Sequence, residues 1–320
     1  MGEEALKYRQ AFPDTMGNGS VIAQSELTDK SKAVWENSRH LEVIRVPEVW
    51  KTTKGEGVVT AVLDSGVCTW HPDLVGGLSA SYDVSGTTPE DVSGHGSHCV
   101  GLIVAQENTD GVTGVAPGSK VISIKVMNNG NNGSVDMLRD GLRLAIDLEV
   151  DIINLSLGTR THPGAEVELL LDEAAEKGIV VVAASGNENG PVLFPARFDN
   201  VIAVSGIDDG NRKASFSNFG IENLICAPAV QLASTFKDGK YARMSGTSMA
   251  APVISGIIAL GIATLKGKGI QKREIRELVL GHLHYAVTDL GDPGRDAYYG
   301  WGVLKADSFC RILSNQFVKK

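Results

Sequence analysis

Several short segments carry side chains that could cooperate in acyl transfer. Ser93-Gly94-His95-Gly96-Ser97-His98-Cys99-Val100-Gly101 sets two histidines among small residues just before an apolar stretch. Gly246-Thr247-Ser248-Met249-Ala250-Ala251-Pro252 places a serine where a long helix is expected to start. Asp64-Ser65-Gly66 and Asp151-Ile152-Ile153-Asn154-Leu155-Ser156-Leu157-Gly158 each end an apolar run in small residues. A serine hydroxyl is a poor nucleophile and needs an adjacent imidazole to take its proton. The imidazole needs a buried carboxylate to hold its tautomer and stabilise its charged form. The tetrahedral oxyanion needs donors aimed at it, and a helix N-terminus beneath the serine adds N–H groups and a favourable dipole.

Such side chains meet only if a framework brings them together. Apolar runs of strand length recur at Val58–Leu63, Val121–Val126, Ile152–Leu155, Ile179–Ala184 and Val201–Val204. They are rich in Val and Ile and apolar on both faces, as in a parallel sheet covered from both sides. Helical spacing fills intervals between them, over Ser134–Leu148 and over Ala165–Lys177, the latter closed by Gly178. The alternation predicts an α/β protein: a doubly wound, mostly parallel sheet with helices on both faces. Active groups in such sheets gather beyond the carboxyl ends of the strands. Asp64 and Gly186-Asn187-Glu188 fall at such ends. Taken singly, each is ordinary loop punctuation, and Asn128–Gly133 by itself reads as a solvated turn.

Composition bounds the rest. The 320 residues are 42% apolar and 21% charged, which excludes a disordered chain, a collagen and a coiled coil. A net charge of −8 argues against a nucleic-acid partner. Met249–Leu265 is broken by Pro252, Gly256 and Gly261, so a buried helix is expected there rather than a membrane span. Residues 1–40 are polar and lack sustained periodicity, which predicts a partly mobile extension ahead of a domain over 41–320. The N-terminus has no basic start followed by an apolar run. That implies a cytoplasmic protein, or a secreted one whose leader has been trimmed. The four cysteines, without dense spacing, are expected to be free thiols.

Together, Asp64-Ser65-Gly66, the His95 segment, Asn187 and Gly246–Pro252 resemble the four signature boxes of the subtilisin-like serine proteases, in that family's order. The resemblance spans roughly 41–310 and ends in Tyr298-Tyr299-Gly300-Trp301-Gly302-Val303-Leu304. It implies Ser248 as nucleophile, His95 as general base, Asp64 as its orienting carboxylate, and Asn187 as oxyanion donor with the Ser248 N–H. His98 matches a non-catalytic histidine. Ser156, Leu157 and Gly158 resemble the strand lining the first specificity pocket. Asn131, Asn132 and Gly133 resemble the edge that pairs with an extended substrate. Val135 and Leu138 are candidates for a further apolar pocket. Glu188 lies at the pocket rim, either attracting basic side chains or simply solvated. The family also implies structural calcium, held by Asp73, Asn108 and the loop Gln106–Val112, with Asp110 offering its carbonyl. Phe194-Pro195 matches a position that is often cis, and Cys99 one that carries a free thiol in some branches.

Two features depart from the pattern. The segment Glu188–Leu193, which forms one wall of the first pocket, is short. The 40-residue extension is too small for a folded prodomain; short extensions in intracellular subtilases can block the cleft. The reading is a serine endopeptidase acting on peptides or proteins, with no membrane partner implied. A catalytically dead binding fold and a peptide ligase are its rivals. The first would normally lack a catalytic residue, and the second would need features that hold the acyl-enzyme away from water.

Overall fold

The structure, a computed structural model, describes residues 23–27, 39–108 and 111–316. Strand β1 (Ala23–Leu27) belongs to the extension; the rest of the expected mobile segment up to residue 38 lies outside the described residues. Helices α1 (Arg39–Val43) and α2 (Val46–Val49) follow. Next come β2 (Val59–Asp64), β3 (Leu78–Asp83), α3 (His95–Val104), β4 (Lys120–Lys125), α4 (Val135–Asp147), β5 (Ile152–Leu155), α5 (Ala165–Glu176) and β6 (Val180–Ala184). They are followed by β7 (Val201–Ile207), β8 (Asn223–Pro228), β9 (Leu232–Thr235), β10 (Tyr241–Ser245), α6 (Thr247–Leu265), α7 (Lys272–His282), β11 (Val287–Thr288), β12 (Val303–Leu304) and α8 (Ala306–Asn315).

Nine described strands form one sheet in the order β11-β12-β8-β7-β6-β5-β2-β4-β3. All pair in parallel except β11 with β12. The expected doubly wound sheet is therefore present. Chain order reverses at β2, which pairs with β4 on one side and β5 on the other. Such a reversal opens a crevice at the strand ends, and Asp64 ends β2 there. A second, antiparallel sheet, β1-β10-β9, lies beside it. Ala23 pairs with Ser245 and Leu27 with Tyr241, so the extension covers one edge of β10.

The sheet divides two hydrophobic cores. One packs α4 and α5 through Leu138, Leu142, Val167 and Leu171. Leu138 belongs to it, while Val135 packs at its margin rather than being fully buried. The Ser134 hydroxyl caps α4 by accepting from Met137 N–H at 3.2 Å. The other core surrounds α6. This helix is long and apolar enough to cross a membrane, yet it is almost wholly buried against the sheet, as the interrupted sequence predicts. All four cysteines are buried and free.

Candidate active site

Asp64 is fully buried at the end of β2, and His95 opens α3. His95 Nδ1 lies 2.7 Å from Asp64 Oδ1, which also accepts Ser65 N–H at 2.7 Å. A carboxylate acceptor fixes the proton on Nδ1, leaving Nε2 as the basic nitrogen. Nε2 is buried and has no hydrogen-bond partner among the described residues. Gly96 allows α3 to approach this closely: a Cβ there would sit 2.1 Å from Gly66 O.

Asp91 anchors the start of α3. Its Oδ1 accepts from Ser65 Oγ, Ser93 N and Oγ, and Gly94 N; its Oδ2 accepts from Ser97 N and Oγ. A carboxylate at a helix N-terminus satisfies orphan donors and matches the helix dipole. Sequence reasoning missed Asp91, although an acid just ahead of a helix start is a recognisable signal.

Ser248 sits in the first turn of α6 and is 3% exposed. Its Oγ donates to Ser156 O at 3.2 Å, and Ser156 Oγ donates to Ser248 O at 2.8 Å. Asn154 and Ser255 extend this bracing: Asn154 Nδ2 donates to Ser156 Oγ, and Ser255 Oγ donates to Asn154 Oδ1. Cys99 Sγ lies 3.4 Å from Ser248 O and 3.9 Å from His95 Nδ1, so Ser248 and His95 flank one sulfur atom.

Asn187 follows β6. Its Oδ1 accepts from Thr247 N at 2.8 Å and Thr247 Oγ1 at 2.9 Å. A backbone N–H can only donate, so the amide is oriented with Nδ2 turned away from Thr247. Nδ2 lies beside Gly246, where a Cβ would come within 3.2 Å of it. Thr247, a further residue the sequence did not single out, thus aims the amide.

The structure brings Asp64, His95, Ser248, Asn187 and Ser156 together across three strand ends and two helix starts. Leu157 and Gly158 continue from Ser156, and Thr159 exchanges two backbone hydrogen bonds with Phe194. Asn131, Asn132 and Gly133 lie on a separate turn: Asn131 has φ 60°, Asn128 N donates to Asn132 O at 2.9 Å, and Gly133 bridges Met127. Glu188 pairs with Arg160 at 2.9 Å, and both side chains are exposed to solvent. The Phe194–Pro195 bond is cis, as the resemblance implied. His98 Nε2 faces the carbonyls of Leu232 and Ala242 at 3.0 and 3.2 Å, which ties α3 to β9 and β10. Burial, with the neighbouring His95, lowers its pKa to about 3, so it is a neutral structural donor.

Asp73 is 1% exposed. Its Oδ1 accepts Asn108 Nδ2 at 2.8 Å and its Oδ2 accepts Val112 N at 3.0 Å. The Gln106 side chain turns to the carbonyls of Val104 and Pro117. Asp110 lies outside the described residues.

A model of the family described as "Subtilase family" matches residues 55–302. The chain is 38% identical over 258 residues to Subtilisin Savinase of Lederbergia lenta, covering 80% of this chain and 92% of that one. The chain belongs to the subtilase family. This subtilase is also 38% identical to M-protease of Shouchella clausii, over 65% of that protein's length. It is 38% identical over 235 residues to the Thermophilic serine proteinase of Bacillus sp. strain AK1, spanning 72% of this chain and 57% of that one. The family and these protease relatives make the chain a serine endopeptidase.

Two expected results arise from the cluster of Asp64, His95 and Cys99. Burial opposes charge on His95, but the Asp64 carboxylate against it prevails, with Cys99 adding to the same effect, and holds the His95 pKa well above 6.5. A protonated imidazole cannot accept the serine proton, so a raised pKa keeps the site inactive to higher pH. The kcat/KM profile should therefore rise through a midpoint above about 6.5. A midpoint below that value, measured on stably folded protein, contradicts the Asp64–His95 pairing. Separately, burial pushes the Cys99 thiol pKa upward, so its thiolate is scarce and reaction slow. A mercurial should still inactivate the enzyme over time, because metal on Sγ displaces both flanking residues. An active Cys99→Ala variant should resist; equal sensitivity in that variant refutes the route.

Proposed function

We propose that Ser248, His95, Asp64 and Asn187 carry the endopeptidase reaction of this subtilase. One observation carries the assignment: a buried imidazole is bonded through Nδ1 to a buried carboxylate with Nε2 unbonded, and it shares the neighbour Cys99 with Ser248, a serine in the first turn of a helix. Ser248 Oγ attacks the scissile carbonyl carbon while its proton passes to His95 Nε2. The oxyanion accepts from Asn187 Nδ2 and the Ser248 N–H. Collapse breaks the C–N bond, and His95 returns the proton to the departing amine. Water then attacks the acyl-serine by the same path, releasing the acid and restoring Ser248. Asn131, Asn132 and Gly133 offer an edge to an extended substrate, and Ser156, Leu157 and Gly158 flank its residue before the scissile bond. Mass analysis of a test peptide separates the alternatives. Hydrolysed fragments support this reading, joined or cyclic products indicate a ligase, and unchanged peptide a binding fold.

The same reading includes structural calcium. Asp73 offers a buried carboxylate, which suits a hard divalent ion. Asn108 now turns its amide nitrogen to Asp73; binding requires that amide to reverse and offer oxygen. Gln106, Asp110 and Val112 would add carbonyls. Bound only to the native state, calcium at a hundredfold excess over Kd adds about 2.7 kcal/mol. Chelation should lower the thermal midpoint and speed self-digestion, and Asp73→Asn should weaken the response. Identical midpoints with chelator and with excess calcium, and no calcium by metal analysis, rule the site out.

A further inference from the structure

We propose that Leu193 is the floor of the first specificity pocket and restricts this subtilase to substrates with a small side chain before the scissile bond. The inference rests on the assignment of Ser248 and Asn187 above. A carbonyl held by Asn187 Nδ2 and the Ser248 N–H belongs to the residue before the scissile bond. That residue's side chain must then enter between the two flanking segments, Ser156–Gly158 and Ser185–Glu188. Ser156 O lies within hydrogen-bond distance of the Ser248 hydroxyl, at 3.2 Å, so the first segment borders the reaction centre directly.

The gap between these segments is already occupied. A Cβ on Gly158 would lie 3.1 Å from both Cβ and Cδ1 of Leu193. A Cβ on Gly186 would lie 2.8 Å from its Cγ and Cδ1. One isobutyl group thus touches both walls, in the space that two glycines leave open. Its backbone is pinned from each side. Leu193 N donates to Ser185 O at 2.9 Å, and the next residue, Phe194, exchanges hydrogen bonds with Thr159 at 2.8 and 2.9 Å. The side chain is 7% exposed and packed at its base, so it cannot swing aside without breaking those contacts. The short Glu188–Leu193 segment brings Leu193 to this position. The Arg160–Glu188 pair at the rim balances one charge with another, leaving size as the property selected.

Large-to-small discrimination in an apolar pocket is worth on the order of 10- to 100-fold. The purified 320-residue chain is assayed on matched tetrapeptide p-nitroanilides that differ only in the last residue: Ala, Leu or Phe. Active sites are counted with a fluorophosphonate that esterifies Ser248. Wild type should favour Ala over Phe by on the order of 10- to 100-fold in kcat/KM. Leu193→Ala should raise the Phe-to-Ala ratio of kcat/KM by roughly tenfold or more. Leu193→Val, a milder truncation that keeps the site labelled if Leu193→Ala does not, should shift the ranking in the same sense by less. Labelled wild type that cleaves Phe as fast as Ala overturns the assignment of Leu193, as does a labelled variant with unchanged ranking. Wild type that takes no label overturns the reading of Ser248 itself.

Discussion

Ser248→Ala should abolish measurable peptide cleavage while the protein stays folded. The expected fall in kcat is on the order of 10⁶, the magnitude established on a subtilisin. The residual rate would come from the oxyanion donors and from substrate binding, which the substitution leaves in place. The variant loses one hydroxyl and its 3.2 Å bond to Ser156 O, a change of about 1 kcal/mol in stability. The bracing Ser156 Oγ bond to the residue 248 carbonyl remains available. Paired melting curves and active-site-independent concentration assays therefore separate chemistry from folding. Near-normal turnover by a folded Ser248→Ala chain sinks the nucleophile assignment.

Asn187→Leu should slow kcat by roughly 10²–10³ with little change in KM, because the amide acts on charge that develops in the transition state. The structure adds a second consequence. Asn187 Oδ1 accepts from both Thr247 N and Thr247 Oγ1. Leucine leaves these donors without their acceptor, at a cost of about 1–3 kcal/mol for a buried unsatisfied group. The thermal midpoint should fall along with kcat. If KM rose steeply and kcat held, Asn187 would be a ground-state binding residue instead.

Sequence pattern singled out Asp64, His95, Asn187 and Ser248 because each stands just at or after the end of a buried parallel strand or at the start of a buried helix. Those strands are continuous apolar runs, and Ile152–Leu155 matches the sequence expectation residue for residue. Others agree to within a few residues, such as Val59–Asp64 against Val58–Leu63. Strands at sheet edges carried no such signal. Leu78–Asp83, at one edge of the large sheet, reads Leu-Ser-Ala-Ser-Tyr-Asp and is only half-buried. Strand β1 reads Ala-Gln-Ser-Glu-Leu, with no apolar periodicity to mark it; its pairing with β10 is a long-range contact. The supporting residues were hidden for a related reason. Thr247 and Ser255 act through hydrogen bonds to Asn187 and Asn154, which only the folded chain brings near, whereas Asp91 holds mostly its own neighbours and was simply overlooked. Leu193 likewise lay in a segment whose shortness was visible, whereas its contacts with Gly158 and Gly186 depend on tertiary approach.

Helix α6 carries Ser248 at one end and is enclosed by β5–β8, α3 and α8 along its length. Amides in such a central helix exchange with solvent only when the surrounding core opens as a unit. Ser248 is therefore not mounted on a segment that can breathe by itself. Freeing it costs the same opening free energy as melting the apolar interior, so activity and native structure disappear in one cooperative event. A nick in a peripheral turn such as Asn128–Asn132 should leave the central helix seated until the core itself gives way.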